Sequence, residues 1–272
     1  MAETKQLVLV VEGTDALRPH WPTIVSNYLE KVIRCFCGND NQDLRKELAL
    51  VVFNAQGTRN SVVFFFFLSN TSLLQFSSNL VSVLDVACLI VRSSWTKDVD
   101  IFMGWLKSIN FCSGTTKDVD LYGTATAEGL SEALMMFPYV NGFQNGRLEK
   151  HCILVAASNP YPLPTPVYTP PCYQPPLYKV MQPGNLLCDA ETVAKSFSTS
   201  LISLSVISPW WIPKLEAIYN AAKGLLPECG RNIGIVTNPD NLVLISERFV
   251  EARIVLSQPE ITKMPPNIIT KF

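Results

Sequence analysis

Histidine is almost missing from this sequence: the 272 residues contain two, His20 and His151. Zinc motifs and catalytic triads that draw on more than one histidine are excluded by that count. Charge is scarce as well, at 17% of residues against about 25% in an average domain. The signs nearly cancel, with 22 Lys and Arg against 23 Asp and Glu for a net charge of −1. Such a chain has no basic field to attract nucleic acid or an anionic membrane. Close cysteine pairs are lacking too. Of eight cysteines only Cys35 and Cys37 are near neighbours, and no second pair completes a zinc cage. The opening apolar run Leu7–Val11 is too short for a secretory signal, so the cysteines read as reduced thiols of the cytosol or nucleus.

Apolar residues are what the chain has in quantity, at 48%. That excludes a disordered chain and supplies a sizeable core. The 25 residues Asn60–Leu84 carry no charge and include Val62–Leu68, a dense apolar run. Asn70, Gln75 and Asn79 interrupt the stretch and Asp85 ends it, leaving no unbroken run near the ~20 residues of a membrane span.

Short continuous apolar runs mark strands buried on both faces. They occur at Leu7–Val11, Leu48–Phe53, Cys88–Val91, Cys152–Ala156, Ile202–Ile207 and Leu242–Ile245. Between them, apolar residues recur at helical spacing through Val25–Phe36, Phe102–Ile109, Leu130–Phe137, Val193–Phe197, Pro213–Lys223 and Phe249–Leu256. Asp189 stands where a helix N-cap belongs. Nine prolines between Pro160 and Pro183 exclude helix and central strand there. The alternation predicts an α/β fold: a doubly wound, mostly parallel six-stranded sheet with helices on both faces. One domain is expected over residues 1–258, with an apolar insertion at 60–84 and a Pro-rich loop at 159–187. An unstructured tail follows at 259–272.

In such sheets ligands bind beyond the carboxyl ends of the strands. No G-x-G-x-x-G follows the first strand, and neither a P-loop nor a G-x-S-x-G nucleophile elbow occurs. His151 and Cys152 are neighbours on a strand, so they point to opposite faces and cannot act as a pair. His20 reads as a surface or capping residue. Asp98 and Asp100 lie at a helix start, where carboxylates favour the helix dipole. Trp210 and Trp211, beside Pro209 and Pro213, read equally as a binding platform or as packing at a strand–helix joint.

Several segments carry a resemblance. Gly123–Leu130 opening a helix, after a buried strand that ends in an acid, resembles the von Willebrand factor A fold. The stretches Leu7–Thr14, Trp21–Phe36, Ala125–Phe137, His151–Tyr168, Asp189–Phe197 and Leu242–Ala252 resemble the N-terminal domain of the plant Mediator subunit 25 family. The broad fold often holds a divalent ion through Asp-x-Ser-x-Ser after the first strand, a threonine before the third helix and an aspartate after the fourth strand. Here Glu12, Thr14 and Ala16 occupy the first element, Thr124 or Thr126 fits the threonine, and Ser158 lies among Ala157, Ser158 and Asn159 where the aspartate is missing. One carboxylate and two hydroxyls are too few for a hard cation that takes six or more oxygens, so the site reads as degenerate, with no metal and no cofactor.

The resemblance implies a non-enzymatic interaction domain in the nucleus that docks a coactivator subunit onto Mediator. Other Mediator subunits are the implied partners, transcription factors a further class, and direct nucleic-acid or membrane contact is not expected. Trp210 and Trp211 are the candidate contact residues. A metal-dependent ligand binder is the alternative that the missing ligands weigh against. The uncharged stretch at 60–84 would also suit a retained T-rich intron, and hence a non-functional, mis-spliced product. Three segments depart from the family: Asn60–Leu84, Thr169–Leu187 and Leu225–Asn238. The family also continues into a linker, an activator-binding domain and a Gln-rich end.

Overall fold

The computed structural model describes residues 3–38, 44–54, 90–111, 123–138, 148–169, 173–174, 179–180, 184–223 and 241–257. The 60–84 stretch and the 259–272 tail lie outside them.

The central sheet has six strands: β1 (Glu3–Glu12), β2 (Leu44–Phe53), β3 (Ile90–Arg92), β4 (Leu148–Val155), β9 (Ile202–Ser208) and β10 (Leu242–Leu244). Their spatial order is β10-β9-β4-β1-β2-β3. The four inner strands run parallel, and the two short edge strands antiparallel. Each predicted apolar run forms a strand where its residues are described, except that Ala156 and Ile245 lie one residue past the ends of β4 and β10. Four further short strands, β5 (Thr165–Thr169), β6 (Tyr173–Gln174), β7 (Lys179–Val180) and β8 (Gly184–Cys188), fall in the Pro-rich region. They pair antiparallel as β5–β8 and β6–β7 outside the main sheet. The region is therefore a ribbon with loops rather than a plain loop. Proline is tolerated in such two-stranded edges because only one side of each strand needs its donors.

Helices cover both faces, which is why the inner strands lack polar alternation. Side chains of successive strand residues point to opposite sides, so Val8, Val10, Cys152 and Leu154 face one way and Leu7, Leu9, Ile153 and Val155 the other. The first set packs on α4 (Thr126–Met136), α5 (Ala190–Thr199) and α6 (Pro213–Lys223). The second packs on α1 (Trp21–Ile24), α2 (Glu30–Cys37), α3 (Val99–Lys107) and α7 (Val250–Ser257). A π-helical turn over Val25–Leu29 joins α1 to α2 without a break. Asp98 caps α3, accepting from the backbone N–H groups of Asp100 and Ile101 at 2.8 and 3.0 Å. Asp189 caps α5 through Thr192 N–H at 2.8 Å. Among the described residues, no helix is long and apolar enough to cross a membrane.

Strand β1 is followed in the chain by β2 on one side, while β4 lies on its other side. The order reverses between β1 and β4, so their carboxyl ends diverge around a switch point.

Candidate functional site

At the switch point β1 ends in Glu12 and β4 runs into Ala156-Ala157-Ser158. Glu12 is fully buried. A carboxylate placed there needs its lone pairs filled, because an unpaired buried charge is costly. Four donors do this. Oε2 accepts from Ala157 N–H at 2.7 Å and Ser158 N–H at 3.0 Å. Oε1 accepts from the Ser158 hydroxyl at 2.6 Å and from the Thr14 hydroxyl.

Glycine makes the close approach possible. Gly13 donates its N–H to the Phe53 carbonyl at 2.7 Å. A Cβ at Gly13 would lie 2.5 Å from Asn54 Oδ1 and 2.8 Å from Val52 Cγ1, so the chain after β1 fits against β2 only without a side chain. The threonines sit on the neighbouring turn. The hydroxyls of Thr124 and Thr126 are 2.9 Å apart, and Thr124 Oγ1 donates to the Asn159 carbonyl at 3.2 Å. Backbone bonds Thr124 N–H to Asn159 O (3.0 Å) and Tyr161 N–H to Thr124 O (2.9 Å) bind that turn to the segment after β4.

A divalent ion here would need six or more oxygen ligands. Ala16 offers no side-chain oxygen and packs against the apolar cluster. Asp15 is paired with Arg18 at 2.8 Å. The Thr14 and Ser158 hydroxyls donate to Glu12, and the Thr124 hydroxyl is engaged with Thr126 and Asn159. The donor set does not fit a hard cation. Among the described residues, no three of His, Cys, Asp and Glu group together as metal ligands.

The tryptophans stand on the same carboxyl rim, just past β9. Trp210 is 39% exposed and Trp211 62%. Trp210 meets His20 edge-on, centroids 5.0 Å apart at 89°. Trp211 donates its Nε1–H to Glu216 in the first turn of α6 at 2.9 Å. Both rings are part-exposed at the joint between β9 and α6. His20 is half-buried, and its side chain makes no cap for α1.

His151 and Cys152 do face opposite sides of the sheet. Cys152 belongs to the cluster under α4–α6, where burial pushes its thiol well above the usual range, leaving it inert. His151 lies on the other side, and its Nδ1 shares a 2.6 Å hydrogen bond with Ser203 Oγ. Both residues are buried, so this His–Ser pair meets no substrate. Sequence reading missed this pairing, and it missed the four donors on Glu12. The only local sign of the second was a polar Ser-Asn pair directly after a buried strand.

Comparison with known proteins gives a consistent result. The family model of the Mediator complex subunit 25 von Willebrand factor type A domain matches residues 1–85 and 82–248. The Mediator of RNA polymerase II transcription subunit 25 of Solanum lycopersicum is 42% identical over 277 residues, covering 96% of this chain and 30% of the relative. The subunit of the same name from Arabidopsis thaliana is 43% identical over 270 residues, covering 94% of this chain and 28% of the relative. The chain thus spans less than a third of the length of these curated relatives. Among solved structures, the VWA domain of SpRpn10 aligns at 8% identity and a TM-score of 0.41, covering 82% of each chain.

Proposed function

Because this chain belongs to the Mediator complex subunit 25 von Willebrand factor A family, we propose that it is a non-enzymatic docking domain of a nuclear coactivator subunit. Its partners in this reading are other Mediator subunits, with transcription factors as a further class. The observation that carries the reading is the pair Trp210 and Trp211 on the carboxyl rim, 39% and 62% exposed beside a switch point whose carboxylate is already satisfied from within. Exposed tryptophans are the side chains most enriched among those that dominate binding energy at protein interfaces. Among the described residues, Cys152 and His151 are both sealed inside the fold, which supports a non-enzymatic reading. The near-zero net charge supports recognition through protein surface rather than through phosphate.

The test is affinity purification of the tagged chain from plant nuclei, with recovered Mediator subunits identified by mass spectrometry. The double variant Trp210→Ala, Trp211→Ala is expected to recover far fewer of them. Undiminished recovery would remove the tryptophans as the docking site, and failure of the unaltered chain to recover any would remove the docking role.

A further inference from the structure

Where related folds tie their strand ends with a divalent cation, this chain has no suitable ligand set among the described residues, yet its strand ends are tied. We infer that the Glu12 carboxylate is itself the tie: a metal-free clasp that fastens the end of β1 to the turn after β4. The inference is independent of which partner docks on the rim.

The count of bonds supports it. A carboxylate offers about four lone-pair positions. Glu12 has four donors, two backbone N–H groups and two hydroxyls, so its acceptor capacity is filled. A cation would have to take those lone pairs from Ala157, Ser158 and Thr14 and leave buried donors unsatisfied, which is costly. The length of the side chain matters as well. Glutamate has one methylene more than the aspartate of the metal-binding pattern. In this chain the carboxylate reaches the backbone of residues 157 and 158, 145 and 146 positions away in sequence.

The partner position is changed in a complementary way. Serine at 158 brings a hydroxyl donor to Glu12 at 2.6 Å, where an aspartate would bring a second negative charge. Two carboxylates at that distance need a proton or a metal between them. The changes at 12, 16 and 158 are therefore three parts of one exchange. Ala16 takes away an oxygen that an ion would use, while Glu12 and Ser158 supply bonds that stand in for it. The rim is held in its arrangement without any ion.

Two measurements on the purified protein test the clasp. Mn2+ titration followed by its paramagnetic resonance signal is expected to show no saturable binding by the unaltered protein. Its melting temperature is expected to be the same with EDTA as with millimolar Mn2+. Ser158→Asp is expected to melt several degrees lower in EDTA, and to recover part of that loss when Mn2+ neutralises the carboxylate pair. Saturable Mn2+ binding by the unaltered protein would overturn the inference. So would a Ser158→Asp variant that melts like the parent in EDTA, since the fourth donor would then be dispensable. Glu12→Gln serves as a third arm. Its amide oxygen can still accept from the Ala157 and Ser158 N–H groups, but its NH2 would face the Ser158 and Thr14 hydroxyls. Those hydroxyls would have to turn from donors into acceptors, and the charge-assisted bonds would be lost. A lower melting temperature is therefore expected whether or not Mn2+ is present.

Discussion

The imidazole of His151 lies flat on the ring of Phe249, centroids 4.1 Å apart and planes 16° from parallel. Phe36 closes a second side edge-on at 6.1 Å. Ser203 holds Nδ1, while Nε2 is buried 3.9 Å from the Glu149 carboxylate. Burial lowers the pKa to about 4, outweighing Glu251 and Glu149, which raise it; Lys5 adds to the lowering. A histidine that folds neutral stabilises the protein above its unfolded pKa of about 6.5, and that contribution is lost as pH falls from there towards 4. The loss should reach about 2 kcal/mol by pH 5. Urea unfolding at pH 7.5 and pH 5 would measure it. His151→Gln is expected to have a shallower pH dependence over that interval, and equal slopes would sink the assignment.

Gly123 has φ of +73°, and a Cβ there would lie 2.9 Å from the backbone of Pro160 and Tyr161. Gly123→Ala combines a left-handed alanine with a clash against main chain that is itself hydrogen-bonded to Thr124. A loss of roughly 2–4 kcal/mol is expected in denaturant titration. A neutral result would mean that this turn is free to shift.

Leu201 adopts φ of +57° at the turn between α5 and β9, with its side chain 68% exposed. A left-handed leucine is strained by about 1–2 kcal/mol and here gains little from burial. Leu201→Asn or Leu201→Gly should therefore raise the melting temperature by a few degrees. A fall in either would show that the leucine contributes packing after all.

Replacing both Trp210 and Trp211 by alanine should lower stability by roughly 1–3 kcal/mol without unfolding the protein. Trp210 is 39% and Trp211 62% exposed, so only the covered part of each ring is lost, along with the edge-on contact to His20 and the exposed bond to Glu216. Differential scanning calorimetry would check this. A large drop would return the pair to the structural core and make any loss of partner recovery uninformative about docking.

Phe53 and Ile90 are paired across the antiparallel β2–β3 ladder, so the two chain ends around the uncharged stretch lie side by side. Deleting Asn60–Leu84 leaves eleven residues to join them, more than the two to five that a hairpin needs. The shortened protein is expected to keep its melting temperature and to aggregate less, because an uncharged segment rich in phenylalanine is aggregation-prone. Unfolding on deletion would show that the segment contributes to the core.

The strands and helices were legible because their signal is local. A strand covered on both faces must be apolar at consecutive positions, as in Leu7–Val11 and Cys152–Val155, and Asp98 and Asp189 act on groups only two or three residues away. That Ala16 has no side-chain oxygen and Ser158 no carboxylate is likewise a local fact, plain from the residues alone. What only the tertiary structure decided is who satisfies whom. Glu12 is held by residues 145 and 146 positions away, His151 by Ser203 on the next strand and Phe249 on a distant segment, and Trp210 rests on His20. Those partners depend on strand order and register, which come from packing both faces of the sheet at once. Periodicity says that a residue is buried; it carries no information about what lies across the ladder from it.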